Sequence, residues 1–208
     1  MKYEWRKQER TTYTTKQRPR LLTIPAQTFM VLHGTGNPNG PAFQVQLQTL
    51  YPAAYGLKNA YKQYAQAQAC AFDDYVVFPL EGVWSLTTKG QQLDYLDKDE
   101  FSYDIMIRIP DFVPTKLIAP ALAAVKAKKK LPTEQIEIQQ FEAMQVAQIL
   151  HIGAYDDEPA SFAKLDQLVA SQDRHRLSKI HREIYLSDAR RGAPDKLKTI
   201  LRYRIAPN

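Results

Sequence analysis

The sequence predicts an α+β fold. The expected architecture is a tandem, pseudo-twofold repeat of strand-helix-strand-strand modules forming an antiparallel sheet, with helices on one face and a central ligand pocket on the other. Three observations predict it. Stretches with period-two alternation are interleaved with stretches of helical period. The order of those stretches repeats along the chain. Short matches also recur at equivalent places: Val31-Leu32-His33 with Ile149-Leu150-His151, Pro41-Ala42 with Pro159-Ala160, Phe43 with Phe162, and Pro79-Leu80-Glu81 with His181-Arg182-Glu183. The expected plan is one domain over residues 1–208, with modules at about 21–110 and 111–206.

Each element has its own reason. Residues 1–20 read as an extended, basic lead-in. Gln27 to His33 alternates as a strand and ends in the turn-rich Gly34-Thr35-Gly36-Asn37-Pro38-Asn39-Gly40-Pro41. Phe43, Leu47, Leu50, Tyr51, Ala54, Leu57 and Tyr61 then recur at helical spacing, with Pro52 inside the stripe as a kink or a break. Tyr75 to Leu86 and Phe101 to Ile109 read as strands around a polar loop at Lys89-Gly90-Gln91. A helix carries Leu117, Ile118, Ala121, Leu122 and Val125, and the order then repeats. Ile136 to Ile152 is a strand or a hairpin turning near Glu142-Ala143. Pro159 opens a helix whose positive end holds Asp156, Asp157 and Glu158, and Thr199 to Ile205 is the last strand.

The most informative stretch is His181 to Asp188. Read as a strand, it points Ile184 and Leu186 to one face and His181, Glu183, Tyr185 and Ser187 to the other. A carboxylate beside a phenol suits a surface that meets a ligand; a half-exposed strand facing water is the plainer reading. If the modules pair, Glu81 and Glu183 approach one cleft from opposite sides, where small ligands commonly bind.

Bulk composition narrows the function. The 208 residues, 44% of them hydrophobic, can bury a substantial core. No apolar run is long enough to cross a bilayer, so no membrane partner is expected. Met1 to Arg10 is charged throughout and predicts no secretory signal; with a single cysteine, Cys70, this predicts a cytoplasmic protein without disulfides or a Cys-rich metal site. The net charge of +6 is spread along the chain apart from Lys126 to Lys130 and the Arg190-Arg191 pair. No helix-turn-helix or zinc-finger spacing accompanies it, so nucleic acid is not the expected partner. Twelve tyrosines and two tryptophans offer broad contact surfaces with polar tips, useful in binding sites and in cores alike.

Several weak signals resolve to structure. Gly34-Thr35-Gly36 lacks both the third glycine of a dinucleotide fingerprint and the Gly-Lys-Ser/Thr of a P-loop, so it reads as a turn and no cofactor is expected. His181 and Glu183 would serve as two metal ligands, but no third ligand has supporting spacing, His151 being only a guess, and no metal is expected. His33 and His151, repeated at strand ends, fit structural hydrogen bonding better than catalysis, although His151 is kept as a candidate ligand contact.

Ile24-Pro25-Ala26, Gly34 to Gly40, Leu50-Tyr51, Pro79-Leu80-Glu81-Gly82-Val83-Trp84, Ile109 to Val113, Gln148 to Gly153, Glu183 to Asp188 and Lys198 to Tyr203 together resemble the GyrI-like small-molecule-binding family. The resemblance spans nearly the whole chain and is to the stand-alone branch, which lacks a DNA-binding domain. It implies a pocket where a glutamate and aromatic side chains hold planar, lipophilic, aromatic or cationic compounds. Some stand-alone members are hydrolases that open the cyclopropane of DNA-alkylating toxins. In that comparison Glu183 matches the pocket carboxylate and Trp84 an aromatic of the stand-alone branch. Pro52 with Gly56, and Ala189 in place of a proline, depart from the family pattern.

A carboxylate buried among aromatics loses hydration, which a bound cation offsets or a raised pKa turns to use as a general base. The candidate catalytic set is Glu183 directing water, Tyr185 orienting it or donating to developing charge, and Glu81 as second acid or base. A salt bridge to a nearby arginine is the alternative for Glu183. Candidate ligand contacts are Trp84, Tyr55, Tyr155, Phe43 and His151. Alternation sets Trp84 opposite Glu81, so both enter one pocket only if Gly82 marks a bulge. Tyr55 and Tyr61 lie on a helical stripe that equally suits a core. The alternative function is a non-catalytic multidrug-binding sensor or sink acting with a partner.

Overall fold

In a computed structural model, residues 1–188 and 192–208 are described; Ala189 and the Arg190-Arg191 pair lie outside the described residues. The elements in chain order are β1 (Lys2–Tyr3), α1 (Trp5–Gln8), β2 (Arg20–Ile24), β3 (Gln27–Thr35), α2 (Pro41–Gln68), β4 (Asp74–Tyr75), β5 (Leu80–Leu86), β6 (Phe101–Ile109), α3 (Ile118–Lys129), β7 (Glu137–Phe141), β8 (Met144–Ile152), α4 (Glu158–Ser171), β9 (Arg174–Arg176), β10 (His181–Tyr185) and β11 (Lys198–Pro207). The fold is mixed α and β; the large sheet is antiparallel, and the short β1 and β4 pair parallel in a sheet of their own. The order strand, helix, strand, strand occurs in β3-α2-β5-β6 and again in β8-α4-β10-β11, with the short β4 and β9 inserted after the helix in each.

The chain condenses into two compact units built from interleaved segments. The first comprises residues 1–8, 27–78 and 86–141. Its β3 pairs antiparallel with β6 on one side and β7 on the other, with Val31 aligned to Met106 and to Glu137. Phe29, Met30, Val31 and Leu32 are all buried, so β3 is covered on both faces and reads as a continuous apolar run. Helix α2 starts at Pro41, whose missing N–H costs nothing in the first turn, and buries Phe43, Leu50, Ala53, Ala54, Leu57, Tyr61 and Ala65. Pro52 does not end it: one helix runs through to Gln68. Gly56 has a packing role, because a Cβ there would lie 2.4 Å from Val125 Cγ2 of α3.

The second unit comprises residues 9–26, 79–85 and 142–208. Its strands run in the order β2-β8-β11-β10-β5, antiparallel throughout, and β9 pairs with the end of β11. Helix α4 covers one face, where Ala147, Ile149, Leu165, Val169, Leu201, Tyr203 and Ile205 form a core joined by Leu21 and Phe162. The lead-in is firmly held: Tyr13 and Thr14 are buried, Arg202 Nη2 donates to Thr12 O at 2.8 Å, and Gln148 Nε2 donates to Thr11 O at 3.0 Å. The turn near Glu142-Ala143 falls where the sequence places it, but it makes no hairpin. β7 pairs with β3 and β8 with β2 and β11.

Candidate functional site

Strand β10 lies between β11 and β5, and its register with β5 is one-to-one: His181 opposite Trp84, Arg182 opposite Val83, Glu183 opposite Gly82 and Ile184 opposite Glu81. Facing residues in an antiparallel pair share a sheet face, so Trp84, Gly82, His181, Glu183 and Tyr185 belong to one side. Trp84 Nε1 donates to Tyr185 Oη at 2.8 Å, which fixes that side directly. No bulge is needed to bring Trp84 to Glu183; Glu81 is the residue that turns away.

A chain of polar contacts runs along this face. Trp84 donates to Tyr185, and the Tyr185 hydroxyl in turn hydrogen-bonds the Glu183 carboxylate. His181 Nε2 lies 3.1 Å from Glu183 Oε1. Glu158, the first residue of α4, brings a second carboxyl: its oxygen, the His181 ring nitrogen and a Glu183 oxygen all lie within 4.8 Å of one another. Glu158 and Glu183 are 7% and 9% exposed, so both are nearly withdrawn from water. Burial raises the Glu158 carboxyl to about 9, with the negative charges of Glu183 and then Asp156 adding to the shift. At neutral pH the Glu158 carboxyl therefore favours its protonated form.

Aromatic rings wall the cluster. Tyr155 and Tyr185 meet edge to face at 6.1 Å, and Phe162 meets the His181 ring at 5.1 Å. Burial, followed by the charges of Glu183, Glu158 and Asp188, pushes the Tyr155 hydroxyl up to about 12, and burial also raises Tyr185. Both phenols therefore stay protonated donors across the physiological range.

The other candidates fall elsewhere. Glu81, read as a second acid or base beside Glu183, is fully buried on the opposite face. There Arg182 Nη1 lies 3.3 Å from its Oε2, and Tyr13 Oη donates to its Oε1 at 3.5 Å. Alternation explains this, since Glu81 is one residue out of phase with the position facing Glu183. It also gives the arginine beside Glu183 a different acid. His151 has both ring nitrogens engaged, Nδ1 with Ser161 Oγ at 3.0 Å and Nε2 with Ala154 O at 2.9 Å, and so ties β8 to the start of α4. Phe43 packs in the first unit, edge on to Tyr103 at 5.3 Å. Tyr55 is 53% exposed on α2, while Tyr61 is core and donates to Phe72 O at 2.7 Å.

Glu158 is the residue that sequence reasoning missed. It sits in an acidic run that explains itself as a helix start, and nothing in the spacing says that α4 begins over β10. The available signal is the pairing of Phe162 with Phe43: a helix whose first turn carries an aromatic toward the sheet also aims the residue one turn earlier at it.

Gly82 makes the arrangement possible. A Cβ there would lie 2.5 Å from Trp84 Nε1 and 3.1 Å from Tyr185 Oη. Gly82→Ala is expected to displace the indole, break its hydrogen bond and cost about 1–3 kcal/mol as overpacking. Urea unfolding together with tryptophan emission checks this; an unshifted spectrum and an unchanged midpoint would contradict it.

The fold and this cluster define a mixed α and β small-molecule-binding domain. The model of the GyrI-like small molecule binding domain matches residues 17–205, and the chain belongs to that family. Among solved structures, it is similar to an uncharacterized conserved protein from Listeria innocua, with 29% identity and a TM-score of 0.86 over 98% of this chain and 100% of that one. It is similar to a hydrolase from Listeria innocua, with 28% identity and a TM-score of 0.84 over 98% and 100% of the two chains. It shares the fold of the EcmrR C-terminal domain, with 12% identity and a TM-score of 0.54 over 92% and 98%. No curated protein matches the chain. Among the described residues, no helix is long and apolar enough to cross a membrane.

Proposed function

We propose that the chain works in the cytoplasm as a single GyrI-like domain, its modules at about 21–110 and 111–206, that binds planar, lipophilic compounds. On this reading it adds water to strained electrophiles among them, cyclopropane-bearing DNA-alkylating toxins being the class that the family resemblance implies. The observation that carries the reading is the nearly buried Glu158–Glu183 pair, in which burial and the neighbouring carboxylate push the Glu158 carboxyl up to about 9. Such a pair offers an acid and a base side by side. The hydrolase from Listeria innocua, similar over its whole length, supports the same direction.

The chemistry asks little more of the site. Glu183 takes a proton from water while the water oxygen attacks a cyclopropane carbon. The breaking ring bond sends its electron pair into the conjugated carbonyl, which becomes a phenolate and then accepts a proton. Tyr185 holds the Glu183 carboxylate in position, with Trp84 holding Tyr185, and the rings of Tyr155 and Trp84 offer flat surfaces to a flat ligand. The second reading, capture without turnover by a sensor or sink, draws on the same pair: a carboxylate among aromatic faces suits a lipophilic cation.

Incubation with a duocarmycin-type cyclopropane compound, followed for ring-opened product, tests the proposal. Glu183→Gln is expected to lower turnover by about 10²–10⁴-fold, the range for a lost general base. Turnover undiminished in that variant rejects the role of Glu183. Tight binding with no turnover in the unaltered protein favours the sink.

A further inference from the structure

We propose that Glu158, His181 and Glu183 form a three-ligand site for a divalent transition-metal cation, with Zn²⁺ as the ion that its donor set suits. The donors come from two elements, the first residue of α4 and one face of β10, and the three atoms lie within 4.8 Å of one another. Nitrogen and oxygen ligands bind zinc at about 2.0–2.2 Å, so two ligands sharing one ion stand roughly 3–3.5 Å apart. His181 Nε2 and Glu183 Oε1, at 3.1 Å, already have that separation.

A second, independent observation points to a ligand. Glu158 Oε1 is buried and has no hydrogen-bond partner, in a residue only 7% exposed. A buried carboxyl oxygen left in this way carries its desolvation cost without compensation, and such groups in native proteins call for an ion or water. A cation among the three groups would satisfy this oxygen and the lone pair of the imidazole together.

The surroundings suit an ion. His181 Nδ1 faces the Lys179 carbonyl at 3.5 Å; a proton held there leaves Nε2 free to aim its lone pair into the cluster, the tautomer that metal-binding imidazoles use. Tyr185 hydrogen-bonds Glu183 and the Phe162 edge braces the imidazole ring, so two of the three ligands are oriented by neighbours. One imidazole with two carboxylates favours zinc or a similar borderline ion over calcium and magnesium, which take oxygen shells. Three protein ligands leave a position open for water or a bound molecule. The His181 and Glu183 side chains are 21% and 11% exposed, which gives the ion a way in. This inference stands apart from the hydrolytic reading, because a Glu183 that ligates an ion is not then the base on free water.

The test uses the full chain, stripped with a chelator and titrated with Zn²⁺ against a chromophoric competitor, with turnover left unmeasured. One zinc per chain is expected. His181→Ala and Glu158→Gln should each weaken binding by at least about 10–100-fold, the loss that even outer-shell changes cause. His33→Ala, at an exposed histidine paired with Asp104, should leave binding unchanged. Co²⁺ in the unaltered protein should give visible absorption bands of a low-coordinate site, a readout that needs no variant to fold. Absence of zinc binding, affinity in both ligand variants unchanged from the unaltered protein, or a Co²⁺ spectrum identical to that of the hydrated ion would overturn the proposal.

Discussion

Glu81→Ala is expected to cost about 3–5 kcal/mol of folding stability, since it takes from the buried Arg182 guanidinium the carboxylate it faces. Glu81 is 0% exposed and Arg182 7%, with 3.3 Å between Nη1 and Oε2. At that depth the pair is worth little net against well-packed apolar residues, but removing the carboxylate takes an opposite charge from a guanidinium that stays buried. The double replacement Glu81→Leu with Arg182→Met should therefore recover most of the loss. Urea unfolding of the three chains decides it. A loss below about 1 kcal/mol for Glu81→Ala would mean that water or other groups around Arg182 compensate its charge without Glu81.

Glu158→Gln should change how stability depends on pH. The folded carboxyl sits near 9 against an ordinary 4.5, raised first by burial and then by Glu183 and Asp156. The folded state therefore holds its proton more tightly than the unfolded chain does. This contribution is complete below the ordinary value and is lost progressively as pH rises toward 9. The unaltered protein should weaken by a few kcal/mol across that window, while glutamine, neutral throughout, should flatten the slope and leave the variant the more stable chain at pH of about 8.5. Unfolding free energies measured at several pH values supply the test. Parallel slopes in the two proteins would mean that Glu158 holds its proton no more tightly in the folded state than in the unfolded chain.

Much of the architecture could be read from the residues. Repeated alternation and helical period gave the strand-helix-strand-strand order, and Phe101 to Ile109 matches its strand end for end. Residues 9–20 were harder, because Tyr13 and Thr14 are buried beside a stretch that Gln148 and Arg202, far off in sequence, hold through the Thr11 and Thr12 carbonyls. Pro52 misleads as a break: a proline removes one hydrogen bond, and a long buried stripe from Phe43 to Ala65 outweighs it.

The cluster was legible on one strand and hidden beyond it. Alternation within β10 correctly set His181, Glu183 and Tyr185 together. Matching Glu81 to Glu183 by repeat failed at a single residue of register: Gly82 stands opposite Glu183, so Glu81 belongs to the other face. Glu158 comes from another element altogether, and only the docking of α4 reveals it.

The bare backbone at Gly82 ties two positions into one heritable choice. The Trp84 indole occupies the space in which any side chain at 82 would begin. Substitutions at the two sites should therefore show strong epistasis: a methyl at 82 becomes tolerable once a small residue stands at 84, and the tryptophan can return only after glycine does. A lineage that gave up this indole would be free to fill the space differently, and so to reshape what its binding face accepts.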